Sequence, residues 1–247
     1  MRYRRFADDP CHDGPLGAGG LDRVGAWWTV IELILPAAVV AVEAFVDPPG
    51  AVLLPEEEQF VAKAVDKRRR EYTTVRHCAR EGLVRLGREP VAILPGEKGA
   101  PQWPAGVVGS MTHCAGYRAA VLAESAEITT VGIDAEPHVG LPDGVLDAVS
   151  LPDERDHLAD LARRAPDVHW DKLLFAAKES VYKAWFPLAR KWLGFSEARI
   201  RLAEDGTYTA DLLVPGPVVD GVEVTGFTGR WITGDGLVIA AIAVHRS

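Results

Sequence analysis

The sequence predicts an α+β fold, and three observations carry that prediction. Two long helical runs cover residues 55–86 and 168–185. Between them lie short β-prone runs at 107–111, 118–123 and 129–136. The last fifty residues break into short strands separated by tight-turn glycines.

Taken in order, residues 1–25 are rich in Gly, Asp and Arg, lack periodicity, and read as a loose N-terminal extension. Residues 27–46 carry Trp27, Trp28, Thr29, Val30 and Ile31, and read as one or two strands broken at Pro36. The apolar run from 26 to 45 approaches the length of a membrane span, but Glu32, Pro36 and Glu43 interrupt it, so it is expected in a buried core. Asp47-Pro48-Pro49-Gly50 is a turn. Pro55 followed by Glu56, Glu57 and Glu58 starts a helix, because acidic groups suit the positive end of the helix dipole. That helix is expected to run to Leu86 and stop at Gly87, with Phe60, Ala64, Tyr72, Val75, Ala79, Leu83 and Leu86 on its apolar face. Residues 90–108 hold many prolines and glycines and read as loop. Residues 141–158 are helical in parts. Asp167 is placed to cap the helix of 168–185, with Pro187 closing it. Strands follow at 199–202, 208–213, 222–228 and 237–244, with Asp205-Gly206 and Gly234-Asp235-Gly236 as hairpin turns. No repeat of fixed period is apparent.

Bulk composition narrows the function. A 247-residue chain with 48% hydrophobic and 25% charged residues has the balance of a globular protein with a sizeable core. A net charge of −8 argues against general nucleic-acid binding but leaves room for a local basic pocket. Cys11, Cys78 and Cys114 show no metal-ligand spacing and no even pairing, which fits a reducing cytoplasm. The basic start MRYRRF is not followed by an apolar segment, so no secretory signal is expected.

Four segments carry candidate chemistry. In Val131-Gly132-Ile133-Asp134-Ala135-Glu136-Pro137, strand alternation puts Asp134 and Glu136 on one side. Two close carboxylates repel unless a cation neutralises them, and Mg²⁺ prefers such hard oxygens; a solvated strand end is the plainer alternative. In 175–185, Glu179 and Lys183 share a helix face, as a ligand pair or as an ordinary surface ion pair. Ser110-Met111-Thr112-His113 brings a hydroxyl beside an imidazole, both able to bind phosphate; a G-x-S-x-G elbow is absent. His77-Cys78 and His113-Cys114 have the wrong spacing for zinc. Lys67-Arg68-Arg69-Arg70 with Arg76 is a solvated helix face or a phosphate-binding one.

Together, in this order and separation, the segments resemble the 4′-phosphopantetheinyl transferase family. Gly132-Ile133-Asp134-Ala135-Glu136, some forty residues, then Lys178-Glu179-Ser180-Val181-Tyr182-Lys183 is similar to its G-(I/V)-D-x-E and K-E-(A/S)-x-x-K motifs. Gly99-Ala100-Pro101 and Ser110–His113 resemble its other motifs. Lys67-Arg68-Arg69, residues 75–80, Gly96-Glu97-Lys98-Gly99, Trp103-Pro104 and residues 183–187 resemble its actinobacterial branch. Phe175 stands where many members carry tryptophan. The resemblance spans residues 53–195 and implies the surfactin-synthetase-activating type: a monomer of two similar α+β halves, 26–125 and 126–247, related by a pseudo-twofold axis with the active site between them.

That resemblance also implies roles. Asp134, Glu136 and Glu179, with the carbonyl of Ala135, would hold Mg²⁺, with Mn²⁺ as the alternative ion. Lys178 and Lys183 would lie at the pyrophosphate of coenzyme A, the co-substrate. Arg68, Arg76 and His113 would clamp its 3′-phosphate, although seven-residue spacing puts Arg69 on Arg76's face more closely than Arg68. Lys98 and Gly99 would lie by the adenine and Thr112 on a phosphate. Glu179 would deprotonate the attacking serine, directly or through a water. The implied partners are apo acyl, peptidyl or aryl carrier protein domains, with neither nucleic acid nor membrane. The segment 185–195, with Arg190, Lys191 and Trp192, is a carrier-docking candidate or rim packing. A metal-dependent phosphohydrolase and a non-catalytic coenzyme A-binding protein are the alternatives.

Overall fold

The computed structural model describes residues 30–246; the loose-extension reading of residues 1–25 lies outside them. A turn of 3-10 helix (Ile31–Ile34) precedes strand β1 (Val40–Ala44), so the first apolar run holds one strand and not two in its described part. Pro36 explains the break: it cannot donate to a ladder. Helix α1 is a single turn (Pro55–Glu58). Helix α2 (Asp66–Arg85) follows after a gap, so the predicted continuous helix is two helices. Phe60, expected on the apolar face, falls in that gap and is exposed. Gly87 takes the left-handed conformation (φ 72°) that ends α2 as expected.

Strands β2 (Val107–Cys114), β3 (Tyr117–Glu124) and β4 (Ile128–Pro137) come next, then α3 (Val145–Val149) and α4 (Pro152–Arg164). Helix α5 (Trp170–Ala189) starts behind His169 rather than Asp167, and it runs through Pro187. The missing proline N–H removes one bond in the last turn; Arg190, at φ 52°, ends the helix. The tail holds β5 (Ala198–Leu202), β6 (Thr207–Leu212), the short β7 (Val218–Val219) and β8 (Val222–Glu223), β9 (Gly226–Gly234) and β10 (Leu237–His245). The strand expected at 222–228 is therefore two strands, and Thr225 marks their separation. Both predicted hairpin turns are present: they join β5 to β6 and β9 to β10.

The strands form an antiparallel sheet of order β1-β3-β2 and another of order β4-β10-β9-β6-β5. Side-chain alternation stacks them in four layers. Val42, Ala44, Ala120 and Leu122 pack on α2 through Cys78, Ala79 and Leu83. The opposite face of the same sheet (Ala41, Ala119, Val121, Ala123) packs on Val131, Ile133, Ala135, Ile239 and Ala241 of the second sheet. The far face of that sheet (Val238, Ala240, Ile242) packs on α5 through Ala177, Val181 and Ala184. Each sheet thus backs onto one twenty-residue helix. The class is α+β, as the sequence predicts.

A repeat that no fixed period betrays runs through this arrangement. Leu54-Pro55-Glu56-Glu57 starts α1 and Leu151-Pro152-Asp153-Glu154 starts α4. Glu57 accepts from Leu54 N (2.9 Å), Ile93 N (2.9 Å) and Arg80 of α2 (2.8 Å). Glu154 accepts from Leu151 N (2.6 Å) and Ile200 N (2.7 Å), and Lys178 of α5 lies 2.9 Å from it. In each case a buried glutamate ties a helix start, a strand or loop amide and a cation of the long helix into one knot.

Candidate functional site

Strand β4 is built to bring α5 close. Thr130, Gly132, Asp134 and Glu136 alternate with the core residues Val131, Ile133 and Ala135. A Cβ on Gly132 would lie 2.6 Å from Ala184 N and closer still to the Ser180 carbonyl, so only glycine lets α5 settle there. Thr130 Oγ1 donates to the Ala184 carbonyl (2.8 Å) in the same contact. From the residue before Ala184, Lys183 Nζ reaches Asp134 Oδ1 at 2.7 Å. Thr112 Oγ1 of β2 donates to the same oxygen (3.1 Å) and accepts from Ala135 N (3.2 Å). Asp134 Oδ2 is buried with no hydrogen-bond partner among the described residues. Glu179, one turn before Lys183, has its carboxyl pushed up from the usual range by burial, then by the charge of Asp134. Glu136 is raised by the same two causes, and Lys172 Nζ stands 3.7 Å from it.

Glu179 and Lys183, with Tyr182, line one wall of a cleft of about 800 Å³, and Asp134 lies buried behind Lys183. The other wall is α2, with Arg68, Tyr72 and Arg76; the Gly96–Gly99 turn and β2 form the floor. Arg68 Nη1 donates to His113 Nε2 at 2.7 Å. Arg69 turns away and chelates Glu58 at 2.6 and 2.8 Å, so helical spacing, which favoured Arg69, misses where the chain beyond α1 leads it. Arg76 is buried: its Nε donates to the Ile93 carbonyl (2.9 Å) and its guanidinium lies over the Tyr72 ring. Burial lowers it to about 10. Lys98, with φ 53°, and Gly99, with φ 79°, form the exposed rim, held by Gly96 N donating to the Ala100 carbonyl (2.7 Å).

The predicted residues do not all converge. Lys178 is turned from the cleft wall: its ammonium lies on Glu154 and donates to the carbonyls of Phe195 (2.5 Å) and Ala198 (3.0 Å). Its i+5 offset from Lys183 puts it on another face of α5. Thr112 serves Asp134 rather than an open position in the cleft. The Ala135 side chain lies in the inter-sheet core, leaving only its backbone to offer. Among the described residues, no group of three or more His, Cys, Asp and Glu is gathered closely enough to hold a metal ion as it stands; Lys183 occupies the position beside Asp134. Of the 185–195 segment, Trp185 and Leu193 are buried, while Trp192 is 65% exposed and stacks on Tyr182 at 4.9 Å. Sequence reading missed Glu71, Lys172, Tyr182 and Glu154. Only Glu154 had a signal, the repeated Leu-Pro-acid-Glu.

Comparison with known proteins agrees with this geometry. Residues 56–123 match the family model of the 4′-phosphopantetheinyl transferase N-terminal domain, and 130–231 match that of the 4′-phosphopantetheinyl transferase superfamily. The chain is 57% identical to the 4′-phosphopantetheinyl transferase Svp of Streptomyces mobaraensis over 87% of its length and 89% of that protein's. It is 49% identical to PptT of Mycobacterium tuberculosis and 50% identical to Npt of Nocardia iowensis, again over 87% of this chain and 98% and 99% of theirs. With Asp134, Glu179 and Lys183 meeting where β4 and α5 touch, and both halves of the chain matched, the protein is an enzyme that belongs to the 4′-phosphopantetheinyl transferase superfamily.

Proposed function

We propose that the protein transfers the 4′-phosphopantetheine arm of coenzyme A to a serine of an apo acyl, peptidyl or aryl carrier domain, leaving adenosine 3′,5′-bisphosphate. The observation that carries this reading is the pairing of two walls. Glu179 and Lys183, the latter held by the buried Asp134, line one side of the cleft, and Arg68 and Arg76, with His113 beside Arg68, line the other. A substrate with a diphosphate and a separate phosphate monoester fits such a split of charge.

Asp134, Glu136 and Glu179, with the Ala135 carbonyl, are the residues that would hold Mg²⁺ or Mn²⁺. Asp134 Oδ2, buried and without a hydrogen-bond partner among the described residues, and the burial and then the Asp134 charge that raise Glu136 and Glu179 fit a hard cation there. When bound, the ion supplies charge neutralisation to the diphosphate. The chain's own groups do the rest. Lys183 faces the bridging region and offsets charge growing on the departing bisphosphate. Glu179 takes the proton of the carrier serine, directly or through a water, while the serine oxygen attacks the β-phosphorus. The bond to the bridging oxygen breaks, and the bisphosphate leaves with that electron pair. A carboxylate that also holds a cation is a weak proton acceptor, which favours the route through a water. Arg68, Arg76 and His113 hold the 3′-phosphate, with Lys98 and Gly99 at the adenine.

The same reading divides the chain near residue 125 into two α+β halves that work as a monomer. The two sheets and the two separate family matches support the division. No helix of the described residues is long and apolar enough to cross a membrane. The buried free thiols of Cys78 and Cys114 suit action in the reducing cytoplasm.

Incubated with coenzyme A, Mg²⁺ and an apo-carrier, the protein should increase the carrier's mass by one phosphopantetheine group. Asp134→Ala and Glu179→Ala should each lower turnover by about a hundredfold or more while leaving the circular dichroism spectrum unchanged. Phosphate-ester hydrolysis without a carrier would favour a phosphohydrolase instead. Binding of coenzyme A without modification of any carrier would favour a binding protein.

A further inference from the structure

Glu71 is out of place in a phosphate-binding wall. It lies on α2, three residues after Arg68, is 7% exposed, and points into the same region as Arg68 and His113. A buried carboxylate beside an anion-binding site should oppose binding. Its contacts suggest why it is there. His113 Nδ1 stands 3.6 Å from Glu71 Oε2, and the Lys67 ammonium reaches Glu71 at 4.0 Å from the solvent side.

The tautomer of His113 follows from its other nitrogen. A guanidinium donates and never accepts, so the 2.7 Å contact from Arg68 requires a lone pair on His113 Nε2. The ring proton is therefore on Nδ1, facing Glu71. When a phosphate draws Arg68 onto itself, Nε2 is released toward the cleft, where it serves the anion only by gaining a proton. The groups that face the ring are Arg68 and Glu71 from α2, Lys183 from α5 and Arg118 from β3. Three of these are cations and disfavour that proton; Glu71 alone favours it. Burial and Arg68 hold the His113 imidazole below its ordinary range.

We propose that Glu71 is a positioning residue for the co-substrate's 3′-phosphate: it faces the Nδ1–H that Arg68 imposes on His113 and supports the imidazolium that donates from Nε2 to the phosphate. This rests on the reading that Arg68 and His113 clamp that phosphate.

Calorimetric binding of coenzyme A and of 3′-dephospho-coenzyme A to wild-type protein, E71Q, E71A and H113Q tests it. A long-range ¹H–¹⁵N spectrum of the free proteins reads the His113 tautomer. In E71A, affinity for coenzyme A should fall about tenfold, the equivalent of a one-unit change in imidazolium support. Affinity for the dephospho compound and kcat at saturation should stay unchanged, and the free variant should keep the Nδ1–H signature, because Arg68 still donates to Nε2. E71Q keeps an acceptor for Nδ1–H without the charge, so it should keep the tautomer and lose part of the affinity. Equal weakening of both ligands in E71A and E71Q would reduce Glu71 to a structural role and overturn the proposal. So would unchanged affinity for coenzyme A in E71A. H113Q separates the two levels. If it removes the preference for coenzyme A while E71A and E71Q keep it, the proposal alone falls. If H113Q keeps the preference, the phosphate-clamp reading falls and takes the proposal with it.

Discussion

Single buried carboxyls set much of this protein's pH behaviour, and Glu43 is the one farthest from its ordinary value. It lies on β1, where its Oε1 accepts from Ile31 N (3.2 Å) and from the Tyr117 hydroxyl, while Oε2 is buried with no hydrogen-bond partner among the described residues. Burial is the largest cause and raises it from 4.5 to about 7; hydrogen bonding pulls it back only in part. The folded state therefore binds a proton that the unfolded state has released between those values. Stability is undiminished below about 4.5, falls as pH rises through the window, and carries the full cost above about 7. The cost is of the order of 3 kcal/mol. Glu43→Gln cannot ionise. Its urea midpoint should match wild type near pH 4.5 and exceed it at pH 8. A constant difference between the two proteins across that range would show that Glu43 is not the titrating group. Glu43 was legible as an interruption of an apolar run, which excluded a membrane span. Its partner was not, because Tyr117 is 74 positions away in sequence.

At the scale of elements, α5 separates the predicted residues: Glu179 and Lys183 line the cleft, and Lys178 does not. The i, i+4 relation of Glu179 and Lys183 is local, so it could be read from the chain. The closeness of β4 could be read only as a glycine without an evident turn, and its reason is the backbone of Ser180 and Ala184 pressing on Gly132. Lys178 was placed with the pyrophosphate, whereas its side chain is 2% exposed and enclosed by Glu154 and two carbonyls. The matching pair Arg80–Glu57 occupies the same place between α2 and α1, where no one would assign it a catalytic duty. Lys178→Ala would leave Glu154 buried and unpaired, and should cost about 3–5 kcal/mol in urea unfolding. Lys178→Arg restores the charge that the other knot uses and should recover most of that loss. A Lys178→Ala protein of wild-type stability with a raised KM for coenzyme A would return Lys178 to the pyrophosphate. The predicted Pro187 stop and the fusion of α1 with α2 failed for a related reason. Local propensity does not report that tertiary contacts carry one helix past a proline and end another after a single turn.

For the whole molecule, the predicted class held because class follows from periodicity, whereas the layering follows from which faces meet. A chain of 247 residues exceeds the size at which a single unfolding transition is the default. The layering nevertheless predicts one. The two sheets do not meet across a polar domain boundary; Ala119, Val121 and Ala123 of the first share a core with Val131, Ile133 and Ile239 of the second. The seam is also hydrogen-bonded: Ser110 Oγ and Thr112 Oγ1 of β2 accept from Ile133 N (3.1 Å) and Ala135 N (3.2 Å) of β4. Unfolding either sheet alone would open that core and orphan those amides, at about 1–3 kcal/mol per amide before the apolar surface is counted. Trp103, whose indole donates to the Gly109 carbonyl (2.9 Å), reports on the first sheet, and Trp170 and Trp231 report on the second. The fluorescence difference between wild type and Trp103→Phe isolates the first signal. Its urea midpoint should coincide with that of far-UV circular dichroism and with the emission that remains in the variant. An earlier midpoint for Trp103 would mean that the first half unfolds on its own, that the inter-sheet core is not the main tie, and that the cleft between α2 and α5 can open without loss of the second sheet.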